Sequence, residues 1–302
     1  MILSAYTGVI GKRFGLDKAI EILAKAGFDA VDVTLCEQMR DADHILNSDD
    51  YKTEAKRLLD TAKDNRIYIN QAHAYFPTSF AEPEKNKTAY ERVVRGIEIA
   101  AILGAKIIVV HPNQHLYYVE GDNAEVLKQM NYEFYKSLLP LCEKYGIRIA
   151  TENMWQMGHI NKVIVDSTCS RGPEFCEYID MIDSPWFTAC LDIGHCGLVG
   201  QHPENMIRAL GHDRLGALHV HDNNGREDNH VEPMAPFVSS INWEEVCKAL
   251  AEIDYSGDFT FEAENMFRNA CSDTVDAIAR HLHDIGRYLI GRVEYYKGIS
   301  DK

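Results

Sequence analysis

Short runs of apolar and β-branched residues recur along the chain at Ile2–Tyr6, Ala30–Thr34, Ile67–Gln71, Ile107–His111, Arg148–Glu152, Thr188–Asp192, Gly216–Val220 and Asp258–Glu262. Each has the length and composition of a strand. Their starts lie 28 to 42 residues apart, which leaves room in every gap for a loop and a helix, as parallel strands joined by crossovers require. The gaps carry a helical period. Tyr90, Val93, Val94, Ile97, Ala101 and Gly104 fall on one face between the third and fourth runs. Leu127, Met130, Phe134, Leu138, Leu141 and Tyr145 do the same between the fourth and fifth, so both stripes should lie against a sheet. In AKAGFDAVDV, AILGAKIIVV and EKYGIRIATE a glycine (Gly27, Gly104, Gly146) stands just ahead of the strand, where a left-handed residue stops a helix. Pro140 falls inside the second helical pattern and predicts a kink there.

Eight βα units without a Gly/Ser/Pro-rich linker predict an α/β chain folded as one closed (β/α)8 TIM barrel, a single domain over residues 1–290. Residues 291–302 read as a C-terminal tail or an oligomer contact. The competing open, doubly wound sheet would carry a G-x-G-x-x-G or G-x-x-x-x-G-K-[ST] loop after a strand, and none is present. The stretch from Asn153 to about Arg171 is long for a barrel loop and could form a lid.

Composition narrows the class. The 31 Lys+Arg residues against 46 Asp+Glu give a formal charge of −15, which suits neither a nucleic-acid backbone nor an anionic membrane. No basic patch offsets it, and the longest apolar runs are strand-sized. The N-terminus, MILSAYTGVIGKRFG, has no secretory pattern. The eight cysteines are dispersed without a C-x-x-C pair. A reduced, cytoplasmic protein is the expectation.

The polar residues at the strand ends carry the chemistry. His73, His111, Glu152, Asp192 with His195, His219 and Glu262 fall at the C-terminal ends of the third to eighth strands, the face where barrel active sites sit. Carboxylates and imidazoles converging there would repel or stay unsatisfied unless a divalent cation balances them, so Glu152, Asp192, His219 and Glu262 are expected to share a metal. Mixed nitrogen and oxygen donors suit Mn²⁺, Mg²⁺, Co²⁺ or Zn²⁺, and with no cysteine at these strand ends a structural zinc site is not expected. Period-two alternation groups Thr260 with Glu262 and Glu264, and Ala217 with His219 and His221. Glu264 and His221 are therefore candidates for supporting the metal residues or touching substrate. The polar loop HDNNGREDNHVEP adds Asp222, Arg226, Asp228 and His230. Trp155 and Met157, just beyond Glu152, could cover a sugar face or line the barrel rim. His44, His202, His212, His281 and His283 lie in helical or connecting segments and receive no role. Arg13, Arg171, Arg226 and Arg268 stand singly, so no phosphate clamp is evident.

The set ATEN, CLDIGHC, LHVHDN with DNH, and YSGDFTFE resembles the xylose isomerase-like barrel superfamily from about Ile2 to about Tyr288. That superfamily includes sugar isomerases, ketose 3-epimerases and type IV apurinic endonucleases. The resemblance implies that Glu152, Asp192, His219 and Glu262 are the metal ligands. It favours His219 over His221 because the family's histidine stands three residues before an acidic residue, here Asp222. His195 matches a position that contacts substrate or a further metal. His73, His111, His195, Asp228 and His230 match the extra metal positions of the nuclease branch, while a nuclease-type A-G-G element is missing. Where ketose 3-epimerases carry an arginine six residues after the metal histidine, this chain has Gly225, with Arg226 next.

These features predict a metal-dependent sugar isomerase or epimerase, most readily with Mn²⁺, acting through an enediolate. Glu152 and Glu262 would serve as base and acid on opposite faces of the sugar. His73, His111, His195, Trp155, Arg226, Asp228 and His230 would contact a small carbohydrate. The runner-up is a lyase acting on a 3-oxo glycoside, such as a C-glycoside-cleaving member with a small partner subunit. A multi-metal apurinic endonuclease and a non-enzymatic sugar-binding barrel follow. No membrane or nucleic-acid partner is expected, and the resemblance implies a homo-oligomer.

Overall fold

A computed structural model describes residues 1–300, with the backbone alone for Ile299 and Ser300. In chain order, β1 (Leu3–Tyr6) leads through α1 (Gly8–Phe14) and α2 (Leu16–Ala26) to β2 (Ala30–Thr34). Next come α3 (Cys36–Arg40), α4 (Tyr51–Asp64), β3 (Tyr68–His73), α5 (Pro83–Leu103), β4 (Ile107–Val109), α6 (Ala124–Tyr145) and β5 (Arg148–Glu152). The hairpin β6 (Trp155–Met157) and β7 (Ile164–Asp166) precedes α7 (Gly172–Ile182), β8 (Phe187–Asp192), α8 (Ile193–Leu198), α9 (Pro203–Arg214) and β9 (Leu215–His219). The chain ends with α10 (Trp243–Glu252), β10 (Phe259–Phe261) and α11 (Val275–Ser300).

Eight strands form one parallel sheet in the order β10-β1-β2-β3-β4-β5-β8-β9. The ends meet through a parallel bridge between Val220 and Phe261, with Val220 N–H donating to Thr260 O at 2.9 Å and Glu262 N–H to Val220 O at 3.0 Å. The protein is thus a TIM barrel. Its main core lies between sheet and helices, where Val33, Ile97, Ile108, Leu138, Ile149, Leu191 and Leu218 are buried. A second, smaller cluster of Val109, Ala150, Cys190 and Ala217 fills the barrel interior. Side chains alternate along a strand, so the residues two further on, His111, Glu152, Asp192 and His219, emerge in the layer above it, at the C-terminal mouth. The small residues of that cluster lie directly beneath the polar layer.

Three differences from the sequence reading concern backbone. α6 runs unbroken past Pro140 to Tyr145. The segment after β5 is a two-stranded antiparallel hairpin pairing Trp155 with Asp166 and Met157 with Ile164. Residues 291–300, read as a tail, continue α11, because Val293 is buried against the core and holds the helix on the barrel; Asp301 and Lys302 lie outside the described residues. No helix among the described residues is long and apolar enough to cross a membrane.

Candidate active site

The strand ends deliver their side chains to one point. Donor atoms of Glu152, Asp192, His219 and Glu262 all lie within 4.8 Å of one another. His219 Nδ1 stands 3.3 Å from Glu152 Oε2 and 3.2 Å from Glu262 Oε2. Its other ring nitrogen, Nε2, faces Gln71 Nε2 at 3.0 Å and Asp32 Oδ2 at 3.5 Å. Asp32 in turn accepts from Gln71 Nε2 at 2.6 Å. The imidazole is thus aimed by β2 and β3 from one side and offered to two carboxylates on the other, an orientation that carboxylate–histidine pairs impose at metal centres.

Asp192 turns into α8, and its Oδ1 accepts the N–H of His195 at 2.7 Å. His221 Nε2 sits 3.0 Å from Asp192 Oδ1. Gly194 explains the glycine of CLDIGHC, since a Cβ there would come within 2.0 Å of the His221 ring. His195 is held by Asn153 O at 2.8 Å from Nδ1 and reaches Glu152 Oε1 at 3.3 Å. Above it, Asp228 Oδ2 accepts from Trp155 Nε1 at 3.2 Å and lies 3.1 Å from His230 Nε2. On the other flank, His111 Nε2 is 3.1 Å from Glu152 Oε2 and 3.0 Å from His73 Nε2.

Burial works against charge throughout this centre, and at Glu152, Glu262, His195 and His219 the partners overrule it. His111 and His219 hold Glu152 well below the usual carboxylate range despite burial. His219 and His230 hold Glu262 low in the same way. Burial disfavours the charged ring of His195, yet Asp192 and Asp228 raise it well above an ordinary histidine. His219 is likewise raised against burial, by Cys190, Glu262 and Glu152. His73 moves down instead, through burial and the neighbouring His111. Burial, reinforced by Glu262, pushes Glu264 up to about 7.

The donor set fits a divalent cation. Glu152 Oε2 and His219 Nδ1 are buried and form no hydrogen bond, although such atoms normally find a partner. They face each other inside the four-residue group, so a cation between them would satisfy both. Two further groups flank it: His73, His111 and Glu152, and His195, His221, Asp228 and His230, each with donor atoms within 4.8 Å. Cys190 also joins Glu152 and His219 in such a group. This corrects the reading that no cysteine stands near the strand ends: Cys190 lies one inward step below Asp192, and burial raises its thiol to about 12.

A cavity of about 470 Å³ opens above the centre, within the size range of small-ligand sites. His73, His111, Glu152, Trp155, His195, Asp228, His230 and Glu262 line it. Asp192 and His219 are fully buried beneath. Two expected contacts fall elsewhere. Arg226 sits on an exposed turn, its N–H bound to Asn224 Oδ1, because the asparagine-rich segment closes on itself before reaching the cavity. Met157 is 44% exposed and is not part of the cavity lining: it shares a face of β6 with Trp155 but stands two residues further along the strand, toward the hairpin turn. The sequence reading missed Asp32, Tyr6, Gly8, Lys12, Arg40 and Gln114. Only Asp32, a lone acid inside the β-branched run AVDVT, carried a signal.

A parallel barrel with a carboxylate- and histidine-lined centre at its C-terminal mouth defines the class of molecule. The chain belongs to the xylose isomerase-like TIM barrel family, whose model matches residues 20–283. An uncharacterized protein of Methanocaldococcus jannaschii is 28% identical over 257 residues, covering 83% of this chain and 80% of its own length. The putative L-ribulose-5-phosphate 3-epimerase SgbU of Escherichia coli is 21% identical, covering 86% of this chain and 87% of its own. Among solved structures, a D-tagatose 3-epimerase-like protein superposes with a TM-score of 0.75 at 22% identity, over 98% of this chain and 99% of that one. The IolI protein, solved with a bound zinc atom, gives 0.69 at 17% identity, over 98% and 99%.

Proposed function

We propose that this protein is a divalent-metal-dependent sugar isomerase or epimerase that moves a proton at a carbon next to a carbonyl. The observation that carries the reading is the approach of two buried carboxylates, Glu152 and Glu262, to the same nitrogen of His219 on the floor of one cavity. The likeness to a D-tagatose 3-epimerase-like fold supports it. Glu152, Asp192, His219 and Glu262 would hold the cation, and an oxygen-rich set with one imidazole favours Mn²⁺ over Zn²⁺. A cation bound there would polarise the substrate carbonyl and make the neighbouring C–H more acidic.

The residues of the chain do the rest. Glu152 and Glu262 sit on β5 and at the end of β10 and reach the cavity from different sides, so one can take a proton from one face of a sugar while the other returns one to the opposite face. Their lowered pKa values keep both carboxyls ionised in the resting site, so one accepts the proton as a base and the other has to take up a proton from a substrate hydroxyl or water before it returns one. His111 and His195, close to Glu152, would hold substrate hydroxyls beside it. Trp155 would cover the apolar face of the sugar while its ring N–H stays on Asp228, an arrangement that shields the reacting carbon from water.

The test is proton NMR in D₂O with Mn²⁺-reconstituted and then Mg²⁺-exchanged protein, on free ketoses, aldoses and keto-glycosides. Deuterium should enter a carbon next to the carbonyl, and Glu262→Gln should slow this by about 10²- to 10⁴-fold. Reprotonation at the same carbon would mark an epimerase and at its neighbour an isomerase, while loss of a substituent would mark the lyase reading. No exchange on any sugar would refute the assignment.

One observation favours a second reading. The flanking donor groups around His73 and His230 could take additional cations, as a phosphodiester-cleaving enzyme with several metals would need. Three bound metals per chain together with incision of abasic-site DNA would select it. The formal charge of −15 weighs against a DNA partner.

A further inference from the structure

The side of the cavity built by β10, β1 and β2 is not used by the chemistry above. It consists of Tyr6 and Gly8, Lys12 of α1, Glu37 and Arg40 of α3, and Glu264. We propose that this wall is a subsite for the hydroxyl end of an unphosphorylated, uncharged sugar, with Glu264 as the recognising side chain. The inference rests on the sugar reading and narrows it to a substrate class.

Three observations carry it. First, Glu264 is fixed against the turn after β1: its Oε2 accepts the N–H of Val9 at 3.1 Å. Gly8 makes the approach possible, since a Cβ there would lie 1.9 Å from that same oxygen and 2.4 Å from the Tyr6 ring. A carboxyl group anchored through one oxygen keeps acceptor capacity on the other for a ligand hydroxyl, and it offers no positive charge in either protonation state.

Second, the charge of the wall's two cations is already shared with Glu37. Lys12 Nζ and Arg40 Nη1 take the two oxygens of Glu37, at 2.9 and 3.0 Å. Arg40 Nε and Nη2 donate to Phe76 O, at 3.3 and 3.2 Å, with the guanidinium 4.5 Å from the Phe76 ring. Third, the wall itself sets Glu37 and Glu264 against Lys12 and Arg40, so it carries no excess positive charge, and the histidines of the cavity lie beside Glu152, Asp228 and Glu262. A phosphate ester would have to compete with Glu37 for both cations while standing beside the Glu264 carboxyl. A neutral hydroxyl would meet a fixed acceptor, and the Tyr6 and Phe76 rings would border its C–H surface.

The experiment compares D-fructose and D-tagatose with D-fructose 6-phosphate on the Mn²⁺-loaded protein, by calorimetry for affinity and by deuterium exchange for turnover, in wild type, Glu264→Gln and Glu264→Lys. We expect wild type to prefer the free ketoses by about tenfold or more, the scale of one hydrogen bond to a charged or fixed acceptor. Glu264→Gln should raise KM for them about tenfold with little change in kcat, and Glu264→Lys should shift preference toward the phosphate ester. Equal or tighter binding of the phosphate ester by wild type would overturn the proposal. So would unchanged affinity in Glu264→Gln, or loss of Mn²⁺ from it, which would make Glu264 a support for Glu262 instead. Calorimetric preference for the free ketose without any exchange would sink the enolising reading and leave this subsite standing; absence of both binding and exchange would sink both.

Discussion

The carboxyl of Glu174 should make the protein less stable as pH rises, and the effect can be worked out. Glu174 lies in the first turn of α7, and its Oε2 accepts the N–H of Cys169 at 3.1 Å. Burial pushes it up to about 7 from the model-peptide 4.5. A carboxyl whose folded pKa is raised contributes stability that is complete below its unfolded pKa and is lost as pH rises through the folded one. The window therefore runs from about pH 4.5 to about pH 7. At roughly 1.4 kcal/mol per unit, a shift of this size corresponds to about 3 kcal/mol at pH 8. Glu174→Gln keeps the acceptor for Cys169 and removes the titration. It should match wild type near pH 4.5 and exceed it by about 2–3 kcal/mol at pH 8, which for a chain this large is a rise in Tm of about 2 °C per kcal/mol. Urea melts followed by circular dichroism at pH 4.5, 6, 7 and 8 would measure the difference. Wild-type and variant curves that stay parallel across this range would refute the argument, since they would mean that Glu174 ionises in the fold as it does in the unfolded chain.

Three further outcomes concern the proposed metal centre. Asp32→Asn removes the carboxylate facing His219 Nε2 and should weaken Mn²⁺ binding about 10- to 100-fold, read from free Mn²⁺ by electron paramagnetic resonance. His219 must be neutral to bind a cation, and nearby acids raise it against burial. Protons should therefore compete for it across pH 5–8, and the apparent Mn²⁺ Kd should rise about tenfold per unit of falling pH; a pH-independent Kd would show that His219 is not a ligand. Gly194→Ala places a methyl group within 2.0 Å of the His221 ring and should cost about 1–3 kcal/mol in thermal melts.

How much of this could be read from the sequence depended on how local each signal was. β2 and β5 match their predicted bounds because their β-branched runs end at a sharp change of composition. β3 continues to His73, past the predicted end at Gln71; the inward polar residues Gln71 and His73 look like the end of a strand until the barrel gives them an interior to face. The hairpin of β6 and β7 pairs three residues with three, too short for alternation to register. Glu152, Asp192, His219 and Glu262 were legible because each terminates an apolar strand, and the period of two then sets its direction.

Residues whose meaning depends on a distant partner were not legible. Asp32 acquires its role only when β2 stands beside β3 and both face His219, 187 residues later in the chain. Lys12 and Arg40 illustrate the same limit from the other side. In sequence they are two unremarked cations near the N-terminus, with Glu37 three residues before Arg40. Only closure of the barrel between β10 and β1 brings Glu264 to the N–H of Val9 and sets it beside that triad. The proposed reacting centre is thus written as a local rule repeated at several strand ends. The wall that would choose among sugars is assembled from contacts at separations of up to 255 residues, which no period along the chain records. The proposed chemistry and specificity of this barrel consequently differ in how they are encoded, so a reading of strand ends alone reaches the cluster of carboxylates and imidazoles and leaves the substrate open.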